Sequence, residues 1–232
     1  METMQGLWIG PRLSAMERLS IASFLAHGHP YHLYVYEEVE GVPAGAEVKD
    51  ANEILPASRI FRYPDGGSYA GFSDYFRYQL LLDRGNWWVD LDMVCLRPFD
   101  FAEPVVISSE RAADGCRFVN SGALKFPAGS PALEAACRIC AGKDPASLVY
   151  GEIGPSLMEW LVQRYSLEAA VQEPEVFCPI PCERVAELVK PGTQVPRGAY
   201  AVHLWHELWR RNGLNKDGDF PKDSIYGRLC AA

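Results

Sequence analysis

The chain has 232 residues, is 48% apolar and carries a formal net charge of −8. That length and apolar share suffice for the core of one ordinary domain, and the acidic balance disfavours a nucleic-acid partner. Seven cysteines at irregular spacing exclude a zinc finger or a disulfide framework and suit reduced thiols in the cytoplasm.

Leu7-Trp8-Ile9 reads as a short strand ended by Gly10-Pro11. Ser14 with Glu17 three residues on is a capping box, which predicts a helix from there to about Ala26. Tyr31 to Tyr36 is a second, aromatic strand, so the opening is a βαβ unit. Residues 41–64 are weakly patterned, with a short helical turn expected over Asn52–Pro56. Asp65-Gly66-Gly67-Ser68 reads as a turn or mobile loop.

A helix is predicted over Phe72–Arg84, ended by Gly85, then a strand over Trp87–Leu91. Val105–Ser108 and Phe118–Phe126 are further strands. Ser130-Pro131 opens a helix running to about Gly142, a position that places Cys137 and Cys140 inside it rather than at a redox turn. Another helix covers Pro155–Tyr165, and a last strand, Tyr200–Leu204, precedes a basic tail. The alternation predicts an α/β fold with a mostly parallel central sheet flanked by helices. No apolar run is long enough to cross a bilayer and no leader precedes the first strand, so a soluble protein is expected, with peripheral contact to a membrane surface left open.

Trp87-Trp88-Val89-Asp90-Leu91-Asp92 carries the most chemistry. Residues two apart on a strand share a face, so Asp90 and Asp92 are expected to project together while Val89 and Leu91 turn to the core. Carboxylates that close raise each other's proton affinity unless a cation sits between them. Oxygen ligands favour Mg²⁺ or Mn²⁺ over Zn²⁺. The bland alternative is a solvated pair at a strand end, which the apolar Trp-Trp-Val prefix disfavours. Asp74 and Arg77 are neighbours on one face of the preceding helix. Asp74 is either a helix-start acid or an acceptor for a ribose or sugar hydroxyl, and Arg77 either holds Asp74 or meets phosphate.

These residues together resemble the sugar-binding region with a DXD motif of small glycosyltransferases: Phe72-Ser73-Asp74, Arg77, Leu81, Gly85 to Asp92, and Arg97-Pro98. The group it is most similar to holds the yeast outer-chain mannosyltransferase and the α-1,4-galactosyl- and N-acetylglucosaminyltransferases, and clostridial glucosylating toxins share that core. The family often has Gly-Gly-x-Tyr where this chain has Gly85-Asn86-Trp87-Trp88. The resemblance implies a GT-A fold over 1–232, with 200–232 as a C-terminal lid or tail. It also implies a UDP- or GDP-sugar donor, Mn²⁺ or Mg²⁺, a saccharide acceptor and retention of anomeric configuration.

Carried over by position, Asp92 is the direct metal ligand, and Asp90 contacts ribose or sugar hydroxyls and reaches the metal through water. Asp74 and Arg77 orient the donor sugar. Trp8 and Ile9 meet the nucleotide base, and Asn120, within Asn120-Ser121-Gly122, faces the sugar. Gly154 and Pro155 resemble the family's Gly-Pro element. His203 and Trp205 resemble its C-terminal His-x-Trp, with His203 a further ligand or a diphosphate donor. The family's Golgi setting is not carried over, because the chain has no membrane anchor, and a bacterial polysaccharide-forming member is expected.

Some single residues keep two readings. Glu152 either steadies the acceptor or the reacting sugar, as a nucleophile in the extreme, or decorates a helix start. Arg210 and Arg211 contact phosphate or belong to a solvated tail. His27, His29 and His32 are dense enough to suggest a metal cluster, but a helix end and a turn account for them. The rival functions are a metal-dependent nucleotidyltransferase or phosphoesterase, which would need a third carboxylate at the ion or a phosphate-binding loop, and a non-catalytic carbohydrate-binding module.

Overall fold

A computed structural model describes residues 1–64 and 67–231; the turn expected at Asp65-Gly66 lies outside the described residues. The chain opens with β1 (Met4–Trp8), α1 (Ala15–Ala26) and β2 (Tyr31–Val35). The capping box forms: Ser14 N–H donates to Glu17 Oε2 at 2.7 Å and Ser14 Oγ accepts from the first turn. β1 and β2 pair in parallel, as a βαβ unit requires.

The weakly patterned stretch holds a strand that periodicity does not reveal, β3 (Ala46–Asp50), parallel to β2. It lies at the sheet edge with most of its side chains in solvent, so it lacks the apolar alternation that marks a half-buried strand. A 3₁₀ turn at Ala51–Glu53 follows, close to the expected helical turn.

Next come α2 (Ala70–Arg84), β4 (Asn86–Val89), β5 (Met93–Cys95), β6 (Val106–Arg111) and β7 (Arg117–Phe126). Gly85 ends α2 at φ 65°, and a Cβ there would lie 2.7 Å from the Ala128 amide, so glycine is required on both counts. The chain finishes with α3 (Pro131–Ala141), α4 (Pro155–Arg164), α5 (Pro174–Phe177), β8 (Ala201–His203), α6 (His206–Arg211) and α7 (Ile225–Ala231).

The main sheet has six strands in the order β3-β2-β1-β4-β7-β6. β7 pairs antiparallel with β4 and β6, and the other neighbours pair in parallel, so the sheet is mostly parallel as the alternation predicts. Side-chain period two splits the core between the faces. Trp88, Tyr34 and Leu124 pack under α2, α3 and α4, whereas Trp87, Val89, Leu33 and Ala123 pack towards α1 and the C-terminal segments. β5 and β8 form a separate antiparallel ribbon on the second side, with Met93 opposite His203. Among the described residues no helix is long and apolar enough to cross a membrane, and all seven cysteines are free.

The histidine-dense stretch is structural. His27 Nδ1 meets the Ser23 carbonyl at 2.7 Å, and His32 meets Glu47. His29 is 1% exposed, with Nδ1 on the Glu2 carbonyl at 3.0 Å and Nε2 accepting from Phe99 N–H at 2.9 Å. Those partners require the neutral ring, and burial lowers its pKa from the ordinary 6.5. The unfolded chain therefore binds the proton more readily, and stability contributed by neutral His29 is present above that ordinary value and lost as pH falls through the folded one. The stability gap between wild type and His29→Gln, measured by urea unfolding, is expected to narrow from about pH 7.5 to about pH 5.5.

Candidate active site

The main sheet carries its chemistry at the C-terminal end of β4. The strand stops at Val89, one residue short of the first acid, so Asp90 and Asp92 are not neighbours on one strand face. Asp90 N–H still donates to the Gly122 carbonyl at 2.8 Å, and Met93 N–H closes a tight turn onto the Asp90 carbonyl at 3.0 Å. The turn arises because β5 must leave the main sheet to pair with β8. The acids converge nonetheless: ligand atoms of Asp90, Asp92 and His203 all lie within 4.8 Å of one another.

Each member is held by a different element. Asp90 accepts from Trp88 Nε1 at 2.9 Å and lies 3.2 Å from Arg77 Nη2. Asp92 accepts from the His206 amide at 2.7 Å and from His203 Nε2 at 3.2 Å, while its backbone carbonyl takes Leu204 N–H. His203 stacks on Trp205, their rings 3.9 Å apart. Trp205 adopts the left-handed conformation at φ 60°, and its indole donates to the Ile180 carbonyl at 2.8 Å. A non-glycine residue in that region is held there by its surroundings.

Arg77, 4% exposed, is the cation of the other side. It lies over the Trp88 ring at 4.8 Å and donates to both the carbonyl and the hydroxyl of Ser121. It is 3.4 Å from Asp74, which also accepts from Ser121 Oγ at 3.1 Å. Gly154 leaves Asp74 its room, since a Cβ there would stand 2.5 Å from Asp74 Oδ2.

Electrostatics follows burial. Burial pushes Asp74 up to about 6, against the pull of Arg77. Asp90 is raised by burial and by Asp92, with Arg77 opposing. For Asp92 burial is outweighed by the His203 charge and hydrogen bond, which hold its carboxyl well below the usual range. His203 is shifted upward in turn, because Asp92 overcomes the cost of burying its charge.

These groups line one cleft of about 740 Å³, a size typical of small-molecule sites. Trp8 and Ile9 from the β1 end, Asn120, Pro155, Tyr63 and Tyr150 line it as well. Arg210 and Arg211 line it while both pair with Glu207.

Glu152 stands apart from these residues. Its carboxylate takes Val149 N–H at 3.2 Å and pairs with Lys143, closing its own loop outside the cleft lining. Asn120 is also busier than expected: its Oδ1 accepts from Gly122 N–H at 2.6 Å and Ser108 Oγ at 3.2 Å, and its Nδ2 donates to Glu110 at 3.0 Å. Glu110 and the Glu17–Lys216–His206 contacts lie outside the sequence-based expectation. Glu110 shares a strand face with Ser108, but only the β6–β7 register brings it to Asn120.

No family model matches this sequence, and no curated protein does. Among solved structures the chain is similar to one titled "PaToxG Glycosyltransferase", at a TM-score of 0.54 and 14% identity, over 71% of this chain and 68% of that one. The likeness is one of fold. A structure titled "Structure of Transferase" aligns at a TM-score of 0.46 and 12% identity, over 73% of this chain and 85% of that one.

Arg77→Ala is expected to destabilise the protein by about 3–5 kcal/mol in denaturant unfolding, because it strands buried carboxyl groups. Arg77→Lys recovers only part of the loss, since an ammonium cannot serve Ser121, Asp74 and Asp90 together.

Proposed function

We propose that the chain is a glycosyltransferase that moves a sugar from a nucleoside-diphosphate donor, a UDP- or GDP-sugar, to a saccharide hydroxyl with retention of configuration. The convergence of Asp90, Asp92 and His203 within 4.8 Å, in the lining of a cleft at the C-terminal end of β4, carries this reading. Two carboxylates and an imidazole form a donor set that suits Mn²⁺, with Mg²⁺ the harder alternative. All three face a cleft large enough for a nucleotide sugar. When bound, the ion supplies positive charge to the diphosphate as it leaves.

The chain's own residues supply the rest. Trp8 and Ile9 offer a flat apolar wall for the base. Asp74, fixed by Ser121 and Arg77, is positioned to accept hydroxyl hydrogens of ribose or sugar. Arg77 keeps Asp90 aimed at the cleft. Trp205 and α6, within a cover formed by 200–232, exclude water that would compete with the acceptor. The acceptor hydroxyl approaches the face from which the diphosphate leaves. Free thiols throughout suit the cytoplasm, and a glycan acceptor suits bacterial polysaccharide synthesis.

A nucleotidyltransferase or phosphoesterase is disfavoured because the ligand group among the described residues holds two carboxylates and no third. A carbohydrate-binding module has no need of buried, convergent acids. Calorimetry with UDP and GDP discriminates these readings. Binding is expected with Mn²⁺ present, absent after chelation, and weakened at least about tenfold by Asp92→Asn, as loss of a ligand requires. Nucleotide affinity indifferent to both manipulations would remove the reading. A sugar-nucleotide screen for Mn²⁺-dependent hydrolysis should give one preferred donor, with Asp92→Asn inactive.

A further inference from the structure

Glu110 is 6% exposed and lines the same cleft, yet it belongs neither to the ligand group nor to the Arg77 cluster. One carboxyl oxygen, Oε1, accepts from Asn120 Nδ2 at 3.0 Å. The other neighbours are the Cys182 thiol and, at longer range, His203 and Glu183. No arginine or lysine pairs with it among the described residues, although burial alone makes an unpaired carboxyl costly. Asn120 is immobilised beneath it: its carbonyl oxygen is spent on Gly122 N–H and Ser108 Oγ. Asn120 thus has one firm partner to present, and that partner is Glu110.

The location narrows the ligand. A Cβ on Gly122 would lie 2.8 Å from Asn120 Oδ1, 3.3 Å from Asp90 Oδ2 and 3.3 Å from His203 Cε1. The Asn120–Glu110 unit therefore begins directly beside the cation-binding atoms. A carboxyl group repels phosphate and takes hydroxyl hydrogens. A nucleotide sugar's diphosphate carries ribose on one phosphate and the sugar to be transferred on the other; with the base at Trp8 on β1, Glu110 on β6 lies on the far side of β4 and β7, the side left for the sugar.

Building on the glycosyltransferase reading, we propose that Glu110 is a specificity-determining residue whose carboxyl, fixed by Asn120, accepts a hydroxyl of the transferred sugar. Asn120 is the positioning residue behind it, not itself the sugar contact. Discrimination of this kind is strong, because a sugar lacking that hydroxyl leaves a buried polar group unpaired.

The test compares the full chain with Glu110→Gln and Asn120→Ala by calorimetry in Mn²⁺, using UDP, GDP and the UDP- or GDP-sugar preferred by the wild type. Gln keeps the shape and the contact with Asn120, and thermal melting checks that each variant folds. The expected result is UDP or GDP affinity within about twofold of wild type. The extra affinity of the sugar nucleotide over its diphosphate should fall about tenfold or more in Glu110→Gln, the size of one charged hydrogen bond, and by a smaller factor in Asn120→Ala. An unchanged increment in Glu110→Gln overturns the proposal and leaves the glycosyltransferase reading standing. Loss of UDP and GDP binding in Glu110→Gln also overturns it, by moving Glu110 to the diphosphate. Wild type that binds no diphosphate with Mn²⁺ removes both.

Discussion

Asp74 and Asp92 share a volume that water barely reaches with Arg77 and His203, Asp90 stands beside them a quarter exposed, and the local architecture follows from keeping that charge balanced. Uncompensated burial of even one carboxylate costs several kcal/mol. Arg77 meets the cost on one side by gripping α2, the end of β4 and the β7 backbone with a single planar group. His203 meets it on the other by pairing with Asp92 across the β5–β8 ribbon. Arg77 and His203 come from opposite sides of the sheet, so the acids between them are held from both layers of the fold.

Close backbone approach is the second requirement. Gly154 lets the start of α4 sit against Asp74, and Gly122 lets Asn120, Asp90 and His203 crowd one point of β7. Gly6 does the same one layer deeper, where a Cβ would lie 2.5 Å from Leu91 and 2.6 Å from the Tyr31 hydroxyl. In each case a glycine frees space for a neighbour that bears on the acids. Each works through absence of volume rather than through a positive φ.

Much of the scaffold is legible in the residues because its signals are local. Ser14 with Glu17, Gly85, Ser130-Pro131 and Gly154-Pro155 mark helix ends through capping and φ preferences that act within a turn. The Trp87–Val89 run announces a buried strand for the same reason. β3 escapes because an edge strand with exposed side chains carries no period-two signature. The aspartates fall beyond the strand that their spacing predicts, because departure of β5 depends on its pairing with β8, more than a hundred residues away in sequence. The meeting of His203 with Asp92 rests on the same non-local register, whereas that of Glu110 with Asn120 follows from the β6–β7 hairpin ten residues apart. Glu152 looked suitable by its neighbours, but a loop amide and Lys143 claim its carboxylate.

The C-terminal segment changes character between the core and the cleft. Trp209, Phe220 and Tyr226 pack edge to face in the lower core, with Trp209 and Tyr226 no more than 1% exposed. That anchor is apolar and resists local opening. Beside the cleft Arg211 rests on the Tyr150 ring at 4.7 Å and shares Glu207 with Arg210, in partly exposed pairs. Exposed ion pairs and exposed cation–π contacts contribute little each. The segment is thus apolar where Trp209 and Tyr226 join the body and charged where Arg210 and Arg211 line the cleft, with the His203 ring held between Trp205 and Asp92.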